Sequence, residues 1–300
     1  MSQQSIEVTI VGSSNVDITS RMQRIPRPGE TVLAESYQLI PGGKGANQAL
    51  AAQLAGAATE FIGAVGRDAH AGIALGQLEA AGVRLDRVAR VEAPTGVAII
   101  QVDAQAENTI AVVPGANGTV DACAVAAAGE LHGIVVLQGE IPASGISAAI
   151  AAAGSRVVLN LAPVIELPRA DLLAANPLVV NEHEAALVLA QLDSAAVPAG
   201  QDEPAIAQAL LEHGIASVVI TLGGEGCLVA DGTGVAKLPA LKVEAVDTTG
   251  AGDAFTGALA ASLARGESLA QAAEFAGRFA AATVRSYGAQ ASYPRSLDEL

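Results

Sequence analysis

Apolar positions along this chain fall into two rhythms: short continuous or alternating runs, and longer stretches with apolar residues every three or four positions. The run at 7–12 (EVTIVG) predicts a buried strand ending at a glycine turn. Residues 30–39 alternate briefly between Pro/Gly-rich ends and predict an edge strand or hairpin arm. A helix is predicted over 44–56, a strand over 60–65, and a helix over 68–81 with Asp68 as N-cap and Gly82 as the stop. Residues 95–102 and 109–113 read as a strand pair across the polar turn DAQAEN. From residue 121, helices (122–130, 144–153, 182–192, 204–213, 250–265, 269–286) are set among strands at 133–138, 156–161, 178–180 and 217–222. A hairpin is predicted from 226–230 and 234–238, a short strand-like piece at 242–246, and a loop at 193–203.

Apolar strands separated by helices predict a mostly parallel sheet covered on both faces. The expected fold class is therefore α/β: a large Rossmann-like three-layer α/β/α domain built from residues 1–13, 42–94 and 115–300. The hairpin-like pieces at 14–41 and 95–114 break that rhythm and are assigned to a small, discontinuous β-sheet lid. In such sheets ligands sit beyond the carboxyl ends of the strands. Here several of those ends are polar or glycine-rich, notably Gln138-Gly139-Glu140, Asn160, Asn181 and Thr221.

Composition narrows the function. Sixteen Lys+Arg against 31 Asp+Glu leave a net charge of −15, and hydrophobic residues make up 51% of the chain. A disordered chain is excluded by that apolar content. A nucleic-acid partner is not expected, because phosphate backbones need basic clusters and base stacking needs aromatics, which are only 2% here. The longest stretches without charged residues, 45–59 and 141–155, fall short of the about 20 apolar residues that span a bilayer. No basic, signal-like segment opens the chain, and Cys123 and Cys227 make no disulfide framework. The expectation is a cytoplasmic protein without a membrane partner. His70, His132, His183 and His213 show no metal-ligand spacing.

Three motifs carry candidate chemistry. In Asp247–Phe255 (DTTGAGDAF), Gly250, Ala251 and Gly252 open a helix whose free N–H groups suit an anion such as phosphate. Asp253 lies in that first turn. A carboxylate beside an anion site suits a general base for a hydroxyl attacking phosphorus, although an Asp there also stabilises a helix start. The segment 41–49 (PGGKGANQA) is a glycine-rich helix entry bearing Lys44 and Asn47, which suits a polar substrate or a plain turn. Asn15-x-Asp17 follows the first strand; its carboxylate suits vicinal hydroxyls, or an Asx turn. Neither a P-loop signature nor a G-x-G-x-x-G after the first strand is present.

In this order, with GSSNVD (12–17), RPGETV (27–32), GAVGRDAHAG (63–72), PGAN (114–117), LQGEIP (137–142), NLAP (160–163), NEHE (181–184) and TLGGEG (221–226), the chain resembles the ribokinase family of sugar kinases over essentially its whole length. The resemblance implies ATP-dependent phosphorylation of D-ribose at its 5-hydroxyl. Asp253 would be the base, and Gly250, Ala251 and Gly252 the anion hole. Asn15, Asp17, Gly43, Lys44, Gly45, Asn47 and Glu140 would line the sugar site. Asn181, Thr221, Gly223, Gly226, Gly252 and Gly277 would run along ATP. Glu184 would hold Mg²⁺, through water. Asp247, Thr249, Thr283, Ser286, Gly288 and Ser292 would hold an activating K⁺. A homodimer through the β lid is also implied. Deoxyribokinase, fructokinase or another kinase of the family remains the alternative, then a non-catalytic sugar-binding regulator. The scarcity of aromatics disfavours an adenosine kinase.

Overall fold

The structure, a computed structural model, describes residues 5–105, 107–195 and 202–300. Ala106 of the polar turn and residues 196–201 of the loop read over 193–203 lie outside the described residues.

In chain order the elements are β1 (Val8–Val11), β2 (Asn15–Met22), β3 (Ala34–Gly42), α1 (Lys44–Leu54), β4 (Thr59–Gly66), α2 (His70–Ala81), β5 (Val88–Val91), β6 (Gly96–Val102) and β7 (Asn108–Val113). Then come α3 (Ala122–Ala128), β8 (Ile134–Gln138), α4 (Ala143–Ala152), β9 (Val157–Asn160), α5 (Arg169–Leu173), β10 (Ala175–Asn181), α6 (Glu182–Leu192) and α7 (Glu203–Glu212). The chain continues with β11 (Val218–Thr221), β12 (Cys227–Asp231), β13 (Gly234–Leu238), α8 (Ala251–Ala264) and α9 (Leu269–Thr283). Among the described residues a nine-stranded sheet runs β13-β12-β11-β10-β9-β8-β1-β4-β5, and a separate four-stranded sheet runs β3-β2-β6-β7. From β11 to β5 every neighbour pair in the large sheet is parallel; the β11–β12 and β12–β13 pairs are antiparallel.

Alternation along the parallel strands sorts side chains between two cores. Val8, Ile10, Val136, Val158, Val179 and Val219 face one core, with α1, α8 and α9. Val11, Val135, Leu137, Leu159, Leu178 and Val180 face the other, with α4, α6 and α7. Both faces are covered, so strands read as unbroken apolar runs. Small residues do specific work in the first core. Helix α8 is buried along nearly its whole length. A Cβ on Gly257 would stand 2.4 Å from the Gln48 carbonyl oxygen and 2.6 Å from the Ala51 Cβ, so α8 lies directly against α1. Close approach of two Ala/Gly-rich helices, rather than large rings, fills this space.

Four local expectations change. Strand β5 and helix α5 were not anticipated; each is too short, at four and five residues, for a clear period. Residues 242–246 form no strand; the Val246 N–H instead donates to Val284 O (2.8 Å) at the end of α9. Strand β3 runs through to Gly42, which pairs with Asn15. Helix α2 begins after Ala69, not Asp68. Asp68 still accepts from the Ala71 N–H (3.1 Å), but its other oxygen takes the Thr95 N–H (2.8 Å), joining the helix entry to the start of β6. Gly82 closes α2 in a left-handed conformation, as expected.

Candidate active site

The carboxyl ends of β9 to β11 and the starts of α1, α6 and α8 enclose one cleft. Lys44, Asn160, Asn181, Glu184, Thr221, Gly250, Gly252, Asp253 and Thr256 line it. Asp253 is buried, and each carboxylate oxygen accepts an amide hydrogen. Asn47 Nδ2 donates to Oδ2 at 2.9 Å and Gln48 Nε2 to Oδ1 at 3.0 Å. Two residues that are consecutive in α1 thus hold a carboxylate in α8, which the close contact at Gly257 permits.

The turn before α8 depends on Gly250, whose φ is 76° and whose carbonyl accepts from Tyr293 Oη (3.2 Å). The Ala251 N–H turns back to Thr248 O (3.2 Å). The N–H groups of Gly252 and Asp253 have no intramolecular acceptor among the described residues. Unpaired donors at a helix N-terminus form a binding site for an anion. Burial, and the nearby Asp253 charge, push the Tyr293 phenol well above its ordinary range, so it remains a neutral donor.

Beyond α1, Asn15 and Asp17 sit two apart on β2, hence on one face of the small sheet. Asn15 is oriented by Asn117, whose Nδ2 donates to Asn15 Oδ1 (2.7 Å) while its Oδ1 accepts from the Ser14 N–H (2.9 Å). Glu140 Oε2 takes the Lys44 N–H (3.0 Å) and the Ser13 hydroxyl (2.5 Å), so it meets the N-terminus of α1, beside Gly43 and Gly45. Burial raises the Asp17 carboxyl to about 6, with the Glu140 and Asp253 charges adding and Lys44 opposing. The Asp253 carboxylate raises the Lys44 ammonium, against burial, and Glu140, Glu184 and Asp17 add to this. Lys44 is thus a fixed cation among four carboxylates.

Asn181 and Glu184 form a reciprocal cap on α6. Asn181 Oδ1 accepts from the Glu184 N–H (2.8 Å), and Glu184 Oε2 accepts from the Asn181 N–H (2.9 Å). The cap leaves Glu184 lining the cleft, with no hydrogen-bond donor to Oε1 among the described residues. Among the described residues no three His, Cys, Asp or Glu side chains cluster as a direct metal cage. One free carboxylate oxygen facing the anion site fits a hard divalent cation that keeps its waters.

Asp247 gathers the loops behind the α8 turn. Its Oδ1 accepts from the Thr249 N–H (2.9 Å) and hydroxyl (2.6 Å), and its Oδ2 from the Gly288 N–H (2.9 Å). Burial would raise this carboxyl, but the three hydrogen bonds hold it below the ordinary range. The carbonyls of Thr249, Ser286 and Gly288 carry no intramolecular donor among the described residues, which fits a hard monovalent cation. Ser286 and Ser292 line an adjoining recess with Arg285 and Glu299. The Thr283 hydroxyl is spent inside α9, on Phe279 O (3.0 Å).

Gly223, Gly226 and Gly277 do not line the cleft. The first two border the β11–β12 turn, where a Cβ on Gly226 would strike Leu238 O, a packing reason for that glycine; Gly277 lies within α9. Sequence reasoning missed Gln48, Asn117 and Gln290 as site residues, and left Gln138 and Asn160 as strand-end markers only. Gln48 had a signal: Asn47-Gln48 is a polar pair inside an otherwise apolar helix. Gln290 had none.

The sequence profile of the pfkB family carbohydrate kinases matches residues 5–296. The chain belongs to that family. It is 39% identical over 308 residues to a ribokinase from Schizosaccharomyces pombe, covering 98% of this chain and 96% of the relative. Its fold matches a crystal structure of ribokinase from Thermotoga maritima with a TM-score of 0.88 at 31% identity, covering 98% of this chain and 97% of that one. It also matches a structure of Arabidopsis thaliana ribokinase complexed with ribose and ATP, with a TM-score of 0.83 at 32% identity, covering 97% and 96%. Carbohydrate kinase chemistry in an α/β fold with a second, smaller sheet is therefore the frame for the cleft.

Proposed function

We propose that this protein transfers the terminal phosphoryl group of ATP to the 5-hydroxyl of D-ribose. The observation that carries the reading is Asp253: a buried carboxylate, tethered on both oxygens, beside the unpaired amides of its own helix start. Its role is to accept the hydroxyl proton as the oxygen attacks phosphorus, while the amides of the Gly250–Asp253 turn hold the phosphoryl oxygens. Asn15, Asp17, Gly43, Gly45, Asn47 and Glu140 hold the sugar, and Lys44 balances charge between sugar and phosphate. Asn181, Thr221 and Gly252, which line the cleft, run along the nucleotide, and Gly223, Gly226 and Gly277 are assigned to the part of the nucleotide that extends beyond the cleft. Glu184 would hold Mg²⁺ through water, which would supply charge neutralisation at the phosphates. Asp247, Thr249, Ser286, Gly288 and Ser292 would hold K⁺ and steady the anion turn from behind, with Thr283 next to them but its hydroxyl given to Phe279 O.

The small sheet, with the division at 14–41 and 95–114, is read as a lid whose closure keeps water from ATP. Tyr37, Leu39, Ile99 and Val113 lie exposed on one face of it. We assign that face to a homodimer contact. Ile99→Asp is expected to convert the dimer to monomer in sedimentation; an unchanged mass rejects the contact. Among the described residues no helix is long and apolar enough to cross a membrane, and a cytoplasmic location suits an ATP-consuming reaction.

The function is tested by assaying a pentose and hexose panel with ATP and Mg²⁺, in potassium and in sodium buffer. Ribose is expected as the preferred substrate, with higher turnover in potassium. Preference for deoxyribose or fructose overturns the substrate, and equal rates in both salts overturn the cation site.

Asp17 adds a pH test. With its carboxyl near 6, it accepts from sugar hydroxyls above that pH and is protonated below it. Sugar KM is expected to rise as pH falls from 7 through about 6, and Asp17→Asn should flatten that dependence. The sign for stability is opposite. A folded-state value raised from 3.8 means that the native state binds more protons than the unfolded chain between about 4 and 6, so ionised Asp17 destabilises the free enzyme above that window. Asp17→Asn should therefore raise Tm at pH 8, with the gain vanishing below about pH 4.

A further inference from the structure

The amides around Asp253 form a directed chain, and the reaction scheme above gives a role to only one of them, Asn47, as a sugar contact. Gln138, at the end of β8, donates from Nε2 to Gln48 Oε1 (2.7 Å). Gln48 Nε2 donates to Asp253 Oδ1 and also to Asn160 Oδ1 (2.8 Å). Asn160 in turn donates to Val179 O (2.9 Å). From the other side, Gln290 Nε2 donates to Asn47 Oδ1 (2.9 Å), and Asn47 Nδ2 donates to Asp253 Oδ2. All five amides are buried.

Chemistry dictates the direction. A carboxylate acting as a base can only accept, so Gln48 and Asn47 must turn their NH₂ groups inward. Their carbonyls then point away and need donors, which Gln138 and Gln290 supply. The outermost carbonyls, Gln138 Oε1 and Gln290 Oε1, are buried without any hydrogen-bond partner. An orphaned buried acceptor gives up its hydration and recovers nothing for it. Among the described residues four buried side-chain atoms lack a partner, Ser14 Oγ, Arg87 Nε and these two, and the two amide carbonyls lie at the outer ends of arms whose donors converge on Asp253. Room is even made for one: a Cβ on Gly12 would stand 2.0 Å from Gln138 Oε1. Glu184 lines the same cleft, Asp17 and Glu140 act on Lys44 as Asp253 does, and neutral Tyr293 lies behind the turn. In that acidic setting an aligned pair of amide dipoles on each oxygen fixes the carboxylate without adding a cation.

We propose that Gln48 and Gln138 on one arm, and Gln290 through Asn47 on the other, are positioning residues that hold the Asp253 carboxylate as a doubly tethered acceptor aimed at the sugar hydroxyl. The inference rests on Asp253 being the base. Gln48→Met preserves length and removes the donor. Because Gln48 does not line the cleft, kcat is expected to fall about 10–100-fold with the KM for sugar and ATP unchanged. Gln138→Met, which acts only through Gln48, should lower kcat less, and the double variant should be no slower than Gln48→Met alone. If Gln48→Met does not fold, Gln138→Met and Gln290→Met read the two arms one link further out, again in kcat. Native kcat in these variants, a loss confined to KM, or losses that multiply in the double variant would each overturn the proposal. An inactive Asp253→Asn beside a native-like Gln48→Met rejects the positioning arms alone; an active Asp253→Asn rejects the base itself.

Discussion

Asp253→Asn is expected to lower kcat by about 10²–10⁴-fold, the usual contribution of a general base, while sugar binding survives. The substitution keeps shape and volume but removes the proton acceptor. It also conflicts with its surroundings. Both carboxylate oxygens of Asp253 face amide NH₂ groups, so the new NH₂ must confront Asn47 Nδ2 or Gln48 Nε2. One hydrogen bond is lost whichever way the amide turns, and stability should drop by about 1–3 kcal/mol. Calorimetric titration with sugar separates the effects: retained binding with lost turnover assigns Asp253 to the chemical step. Turnover within tenfold of native removes it from that role.

Gly250→Ala is the second large effect. At φ 76° an L-residue pays about 1–2 kcal/mol in the left-handed region. The added Cβ would also lie 2.7 Å from the Ala289 Cβ and 3.0 Å from its Cα, with Tyr293 Oη at 3.2 Å. Relief requires the α8 turn to part from the 289–293 segment, which moves the amides of Gly252 and Asp253 off the phosphoryl position. Loss of one such donor costs about 10²–10³-fold in kcat elsewhere, and a similar loss is expected here. Sugar binding without nucleotide should persist, because Asn15, Asp17 and Glu140 lie on other elements. A Gly250→Ala enzyme with native kcat would show that the turn has no part in holding phosphate.

Much of this was legible in one dimension because the signals are local. The burial of both sheet faces is written into β1 and β8 as unbroken apolar runs, and the α8 anion turn into glycines spaced before an apolar helix. Gly82 and the β12–β13 hairpin are likewise set within a few residues, whereas the reciprocal cap of Asn181 and Glu184, equally local, went unread. The scarcity of rings, used first to exclude nucleic acid, is matched in packing where α1 and α8 meet closely at Gly257.

What only tertiary structure decided is which polar groups share a partner. Gln48 and Asp253 are 205 positions apart, and Gln290 and Asn47 are 243 apart, yet each pair is joined by one hydrogen bond. No periodicity can carry such a contact, because a side-chain amide has the same local signature whether it meets water or a buried carboxylate. The same holds for Asp68, whose neighbours suggest a simple cap but which also binds Thr95 across the fold. Short-range patterning therefore decided which elements form and where glycine must stand. Long-range packing decided how Asp253 is held, since burying a carboxylate requires donors that come from wherever the fold places them.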